Sequence, residues 1–472
     1  MAAVKLLKFS SCSFLKSLSV RNLRKLSTAT YAQTLLNIPE TKVTTLENGF
    51  KIATEYSDTP CSTVGLWIDS GSRFESPESN GTANFVEHMA FKGTSKRSEK
   101  DLEIEIENMG AVFNSYTDRE ESAFYANCLP SDVPKVVDIL ADITQNSSFD
   151  NAKIEEERQN ILKKLDEAES NLKLVTTDYL HLTAYQGTPL GQSVIGPSKN
   201  IKKISKEDLS FFVRNNFLAP RMVLAATGSI NHDELVKLAE KNFSSVPLTY
   251  TNEIPTIKPC RFTGSEIRDR DDWMPFAHVA VAVDSCGHNS EDTYPLMLAK
   301  THIGSWDKTL ASSANTVNPL IQNIHGEPRC HSFEAFHIQY RDTGLWGIYF
   351  VMDGMVLDDF MYNLQNEWMK LCTSFTENDL RIAKNILKVN ILQDLDGSTR
   401  NCADIGRQVL HYGKRLPLAE VDDKIESITL KQLKDVCSKY IYDRCPAIAA
   451  VGPIEAMTDY NRVRSNMYWL RY

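Results

Sequence analysis

No run of apolar residues in this 472-residue chain approaches the roughly 20 that a membrane-spanning helix needs. Membrane association would have to go through a partner or a surface contact. Cysteine is sparse and scattered. The ten cysteines form no Cys-x-x-Cys pair, which excludes a zinc ribbon or a thioredoxin-like site and leaves free thiols in a reducing compartment. Acidic residues are missing from positions 1–26, which carry Lys5, Lys8, Lys16, Arg21, Arg24 and Lys25 with several serines. Val4, Leu7, Phe14, Leu15 and Leu18 can share much of one helical face. A basic, serine-rich, acid-free amphipathic segment is the composition of a mitochondrial transit peptide, and Arg24-Lys25-Leu26-Ser27 resembles a matrix-peptidase cleavage site cut before Ser27. Removing its six positive charges moves the formal charge from −9 to about −15, which argues against nucleic acid as a partner.

Hydrophobic residues at 42% and charged residues at 24% are those of a soluble globular protein, long enough for two domains or more. Asn160-Ile161-Leu162-Lys163 recurs as Asn385-Ile386-Leu387-Lys388, and the stretch Leu209 to Ile230 is echoed by Leu433 to Ile454. The longer echo pairs a helix end, a proline turn, an apolar strand and a glycine, Gly228 in one copy and Gly452 in the other. Two echoes at nearly one offset predict a duplication. The halves span residues 43–250 and 262–465, with a linker at 251–261 in a region carrying Pro247, Pro255 and Pro259. Strands and long helices mix without a regular βαβ rhythm. The expected fold is therefore α+β: two homologous halves, each a mixed sheet with helices packed on one side.

From Gly81 to Thr94 the chain reads GTANFVEHMAFKGT. On spacing alone, Glu87-His88 is an ordinary polar helix face. The stretch nevertheless resembles the inverted zinc motif, His-x-x-Glu-His, of the pitrilysin-type (M16) metallopeptidases. Further pieces carry the resemblance in order along the chain: Gly65 to Asp69, Gly110 to Thr117, Ile195 to Pro197, Asp342 to Gly347, Leu395 to Thr399 and the tail Asn466 to Tyr472. It is strongest to the mitochondrial branch of that family, which holds presequence-processing beta subunits and the core 1 subunits of the cytochrome bc1 complex.

The resemblance implies a zinc ion bound by two histidines at i and i+4 and by a glutamate 76 residues further on, with a glutamate general base beside the second histidine. Glu87 and His88 match the base and the second ligand. Asn84 stands at the first ligand position and Lys164 at the distal one, while Glu157 matches a supporting carboxylate. A neutral amide is a poor zinc donor and an ammonium is none. The expectation is therefore no zinc, no other cofactor and an idle Glu87. Glu167, one turn beyond Lys164, is the candidate replacement carboxylate; the second half offers no histidine pair at i, i+4.

Lys164 lies at the edge of the apolar face Ile154, Ile161, Leu162 and Leu165. It is expected to point at the metal position and pair with Glu87, the alternative being that it reaches solvent. Asn114, Ser115 and Tyr116 match the family's substrate-holding edge strand, or form an ordinary sheet edge. The implied function is a catalytically degenerate core-1-like scaffold of complex III, in the matrix or on the matrix face of the inner membrane. Its implied partners are core protein 2 or an alpha-type processing subunit, with other bc1 subunits. The alternatives are an inactive or regulatory beta-type processing subunit and an active presequence metalloendopeptidase with an altered metal site.

Overall fold

The structure, a computed structural model, describes residues 38–249, 259–310, 316, 318–324 and 329–468. The expected transit segment and most of the expected linker lie outside the described residues. Residues 39–472 fall in one compact unit.

Twelve strands among the described residues form two six-stranded sheets. The first contains β1 (Lys42–Thr45), β2 (Lys51–Tyr56), β3 (Ser62–Ile68), β4 (Val112–Thr117), β5 (Ser122–Cys128) and β6 (Met222–Gly228) in the order β1-β2-β6-β3-β5-β4. The second contains β7 (Glu266–Arg270), β8 (Ala277–Ser285), β9 (Ser305–Asp307), β10 (Cys330–Gln339), β11 (Gly344–Met352) and β12 (Ala447–Gly452) in the order β7-β12-β8-β11-β10-β9. Five strands correspond one to one. β2 runs parallel to β6 as β7 does to β12, and every remaining pair is antiparallel. Both sheets are mixed and packed with helices, so the chain is α+β with two homologous halves.

The sequence echo has a direct structural meaning. Helix Lys206–Asn216 followed by β6 repeats as helix Leu430–Tyr440 followed by β12. Gly228 and Gly452 close the two strands at φ 122° and 110°. A Cβ at Gly452 would fall 2.7 Å from the Phe276 carbonyl oxygen, so the turn requires glycine on two counts.

Four helices bear on the site and on the joining of the halves: α1 (Thr82–Met89), α2 (Asn151–Ser170), α3 (Leu172–Ala184) and α4 (Ser398–Tyr412). One correction to the expected architecture concerns coverage. Each sheet is covered on both faces, one face by helices of its own half and the other by a helix of the opposite half. Ile52, Leu66, Phe124 and Leu224 face helices of the first half, whereas Ala53, Trp67, Ala123 and Val223 face Cys402, Ile405 and Val409 of α4. Reciprocally, Leu180 and Ala184 of α3 pack on Ala280, Ala282 and Ala449 of the second sheet. Coverage on both sides explains why β3, β6 and β12 are buried at every position instead of alternating. The indole of Trp67 is held between Gly65 of its own strand and Gly406 of α4, where a Cβ would strike the ring.

Candidate functional site

The site grows from the start of α1. Gly81 at the N-cap has φ 104° and offers no side chain to cap the helix. The buried Glu75 replaces it, accepting from the backbone N–H of Gly81 at 2.9 Å and of Ala83 at 2.5 Å, and from Asn80 Nδ2 at 2.9 Å. Burial pushes the Glu75 carboxyl up to about 7, against these donors. Helix α2 starts with Asp150 accepting from Ala152 N–H and buries Ile154 and Ile161. That apolar stripe sets Glu157 and Lys164 against α1.

His88 is the hub. Its Nε2 lies 3.0 Å from Lys164 Nζ and its Nδ1 lies 3.4 Å from Glu157 Oε2. An ammonium can only donate, so Nε2 accepts and the ring proton belongs on Nδ1, facing the carboxylate. Burial lowers the His88 pKa and the Lys164 charge lowers it further, against Glu87 and Glu157. The buried Glu157 is also met by Lys92 Nζ at 2.9 Å and by Asn160 Nδ2 at 3.0 Å. Lys92 extends the chain of charges to Glu99 at 2.9 Å.

Glu87 faces the other way. It accepts from Ser115 Oγ of β4 at 3.1 Å, and no Lys164–Glu87 ion pair occurs among the described residues. The expected Lys164–Glu87 pairing is thus corrected to Lys164–His88. The reason is helical geometry: adjacent residues diverge by about 100°, so His88 faces α2 while Glu87 faces β4.

The donor set does not fit zinc. Asn84 is 4% exposed and its Oδ1 has no hydrogen-bond partner, the lone pair of His88 Nε2 is engaged by Lys164, and Glu167 is exposed. Among the described residues no three His, Cys, Asp or Glu are grouped so as to hold a metal. The matching helices of the second half, Thr293–Ile303 and Glu377–Asp394, lie in an apolar cluster that includes Leu296, Ala299, Ala383 and Leu387.

Among the described residues β4 is an edge strand, paired only with β5. Asn114 is exposed and Ser115 half-buried. Tyr116 donates to Glu121 Oε1 at 2.7 Å and accepts from Arg407 at 3.1 Å, so it ties the strand to α4. An unpaired edge beside Glu87 can take an extended peptide by strand addition without any metal. Sequence reasoning missed Lys92, Glu75 and the role of Ser115 as the partner of Glu87. Only Lys92 left a signal, four residues beyond His88 and so over the same face.

A model of the insulinase, or M16 peptidase, family matches residues 51–198, and a model of the M16 inactive domain matches residues 203–387. The mitochondrial-processing peptidase subunit beta of Bos taurus is 52% identical over 445 residues, covering 94% of this chain and 91% of that protein. Cytochrome b-c1 complex subunit 1 of Homo sapiens is 48% identical over 447 residues, covering 94% of this chain and 93% of its own. Among solved structures, a chain of complex III2 from Candida albicans superposes with a TM-score of 0.82 at 27% identity, over 91% of this chain and 100% of that one. Among the described residues no helix is long and apolar enough to cross a membrane.

Proposed function

This chain belongs to the M16 peptidase family, and from that premise we propose that it is a non-catalytic, core-1-type scaffold subunit of mitochondrial complex III. The observation that carries the proposal is the Lys164 ammonium 3.0 Å from His88 Nε2. A divalent ion about 4 Å from an ammonium is repelled by about 8 kcal/mol at an effective dielectric near 20. With Asn84 at the first ligand position the remaining donors cannot offset that. Glu87 keeps the position of a general base but has no metal-bound water to deprotonate. The complex III chain that shares the fold and the b-c1 subunit 1 relatives support the assembly. The partners would be a core-2-type subunit together with the cytochrome subunits, on the matrix face of the inner membrane.

A second reading is favoured by the 52% identity to a processing beta subunit and by the open edge of β4: an inactive beta-type subunit that still holds presequences. Affinity purification from gently solubilised mitochondria separates the two. Stoichiometric cytochrome b and cytochrome c1 are expected. An alpha-type processing subunit as sole partner would overturn the scaffold reading.

A further inference from the structure

At one end of the second sheet the last residues of β7, β12 and β11 lie beside the first of β8. Arg270 pairs with Gly452, His278 with Val451 and Ala277 with Met352. The turns leaving that end carry Trp273, 96% exposed, and Met355, 73% exposed. Asp271 donates its backbone N–H to the Gly452 carbonyl at 3.0 Å, and Gly354 is pressed so closely on the Pro453 carbonyl that a Cβ would clash. Both turns thus flank one loop. The half-buried Phe276 continues the apolar surface, its ring 3.9 Å from that of His331.

The first half provides the comparison. Tyr56 pairs with Gly228 as Arg270 does with Gly452, and Ser62 with Cys128 as Ala277 does with Met352. Thr59 therefore stands where the second half has Trp273, and Ser131 where it has Met355. The fold does not need large apolar residues at these two positions. In the second half both are held on pinned turns: Asp271 Oδ1 accepts from the Trp273 N–H and Asp353 Oδ1 from the Met355 N–H, each at 2.9 Å. An indole already fixed on such a turn loses little freedom on docking, and tryptophan is a frequent anchor of interfaces.

The rim of this surface is acidic. Asp271, Asp272, Asp353 and Glu455 stand against Arg270, which is divided between Asp272 at 2.8 Å and Glu455. Lys308 and Arg329 lie toward the β9 edge, beyond Asp353. Burial and the Lys308 charge lower the His331 pKa, against Asp353 and Asp307, so the ring adds no charge at neutral pH. Such a rim repels an anionic membrane and complements a basic one-sided helix.

We propose that this end of the second sheet docks a cationic amphipathic helix of a partner protein. Its apolar face lies on Trp273, Met355 and Phe276, and its basic residues lie over Asp271, Asp272, Asp353 and Glu455. The surface is separate from the degenerate metal centre and the β4 edge, which belong to the first half, and does not depend on which assembly the chain joins.

A fluorescein-labelled helical peptide of leucine and lysine, titrated with the full chain and followed by anisotropy, tests it. Matched peptides carry glutamate in place of lysine or serine in place of leucine. Saturable binding of the leucine–lysine peptide is expected, with the other two about tenfold weaker or more. Trp273 is the one exposed tryptophan among the described residues, so its emission is expected to shift to the blue as the unlabelled peptide binds. Trp273→Thr and Met355→Ser install the residues of the first half and are each expected to weaken binding about tenfold at an unchanged melting midpoint. No saturable binding, equal affinity for the leucine–glutamate peptide, or full affinity in a folded Trp273→Thr, Met355→Ser double variant would each overturn the proposal. So would Trp273-dependent binding to cardiolipin-containing vesicles, or Trp273-dependent self-association in sedimentation velocity, in place of peptide binding.

Discussion

Counting 76 residues from His88 lands on Lys164, and the structure brings the two side chains together at 3.0 Å. That much is legible in the chain because the spacing and the apolar stripe of α2 fix which face Lys164 occupies. Its partner is not legible. Whether Glu87 or His88 meets Lys164 depends on which side of α1 carries β4, and that is a tertiary fact. The orphaned Asn84 Oδ1 is hidden in the same way, since burial of an amide does not show in its neighbours along the sequence. The arrangement predicts a strongly non-additive pair of substitutions. Asn84→His with Lys164→Glu is expected to bind one zinc per chain, measured by elemental analysis after exhaustive dialysis. Either change alone should bind none, because Asn84→His leaves the ammonium in place and Lys164→Glu leaves two donors. Stoichiometric zinc in Asn84→His alone would show that Lys164 yields its place.

Helices and strands were the most readable level. The helix–turn–strand echo from Leu209 to Ile230 reappears as the same element pair in each sheet, because amphipathic period, proline turn and terminal glycine are all local signals. The exchange of α3 and α4 between halves carries no such signal, since an apolar helix face does not name the sheet it will cover. The glycine inside α4 is its one trace. Glycine in a helix interior costs about 1 kcal/mol relative to alanine, yet Gly406 lies against the fully buried Trp67 ring, where a Cβ would fall inside contact distance. Overpacking at such a position costs about 1 to 3 kcal/mol. Gly406→Ala is therefore expected to destabilise by about 1 kcal/mol net despite its better helix propensity, read from urea unfolding. A stabilised Gly406→Ala protein would mean that Trp67 can move aside.

Joined by these exchanged helices, the halves bury a set of histidines that folding keeps neutral. Burial lowers the pKa of His88, His181, His278, His302 and His337, the last to about 3, and of His288 to about 4. In the unfolded chain each titrates near 6.5, so below that pH the unfolded state binds protons that the folded state cannot. Their contribution is complete above about 6.5 and is lost progressively as the pH falls toward the folded values. Glu75, whose folded pKa near 7 exceeds the ordinary carboxylate value, acts oppositely, as do Glu120, Asp284 and Asp404, which burial also raises, but these carboxyls are fewer than the histidines. The melting midpoint is expected to fall between pH 7 and pH 5, followed by circular dichroism in buffers of constant ionic strength; an unchanged midpoint would mean that these imidazoles are hydrated on folding. The proposed loss of catalysis is most directly tested by supplying the full chain with zinc and an active-family alpha subunit and following cleavage of a fluorogenic presequence peptide. No cleavage above that of the alpha subunit alone is expected. Chelator-sensitive cleavage that depends on this chain would contradict the reading of Asn84, His88 and Lys164 as a metal-free site.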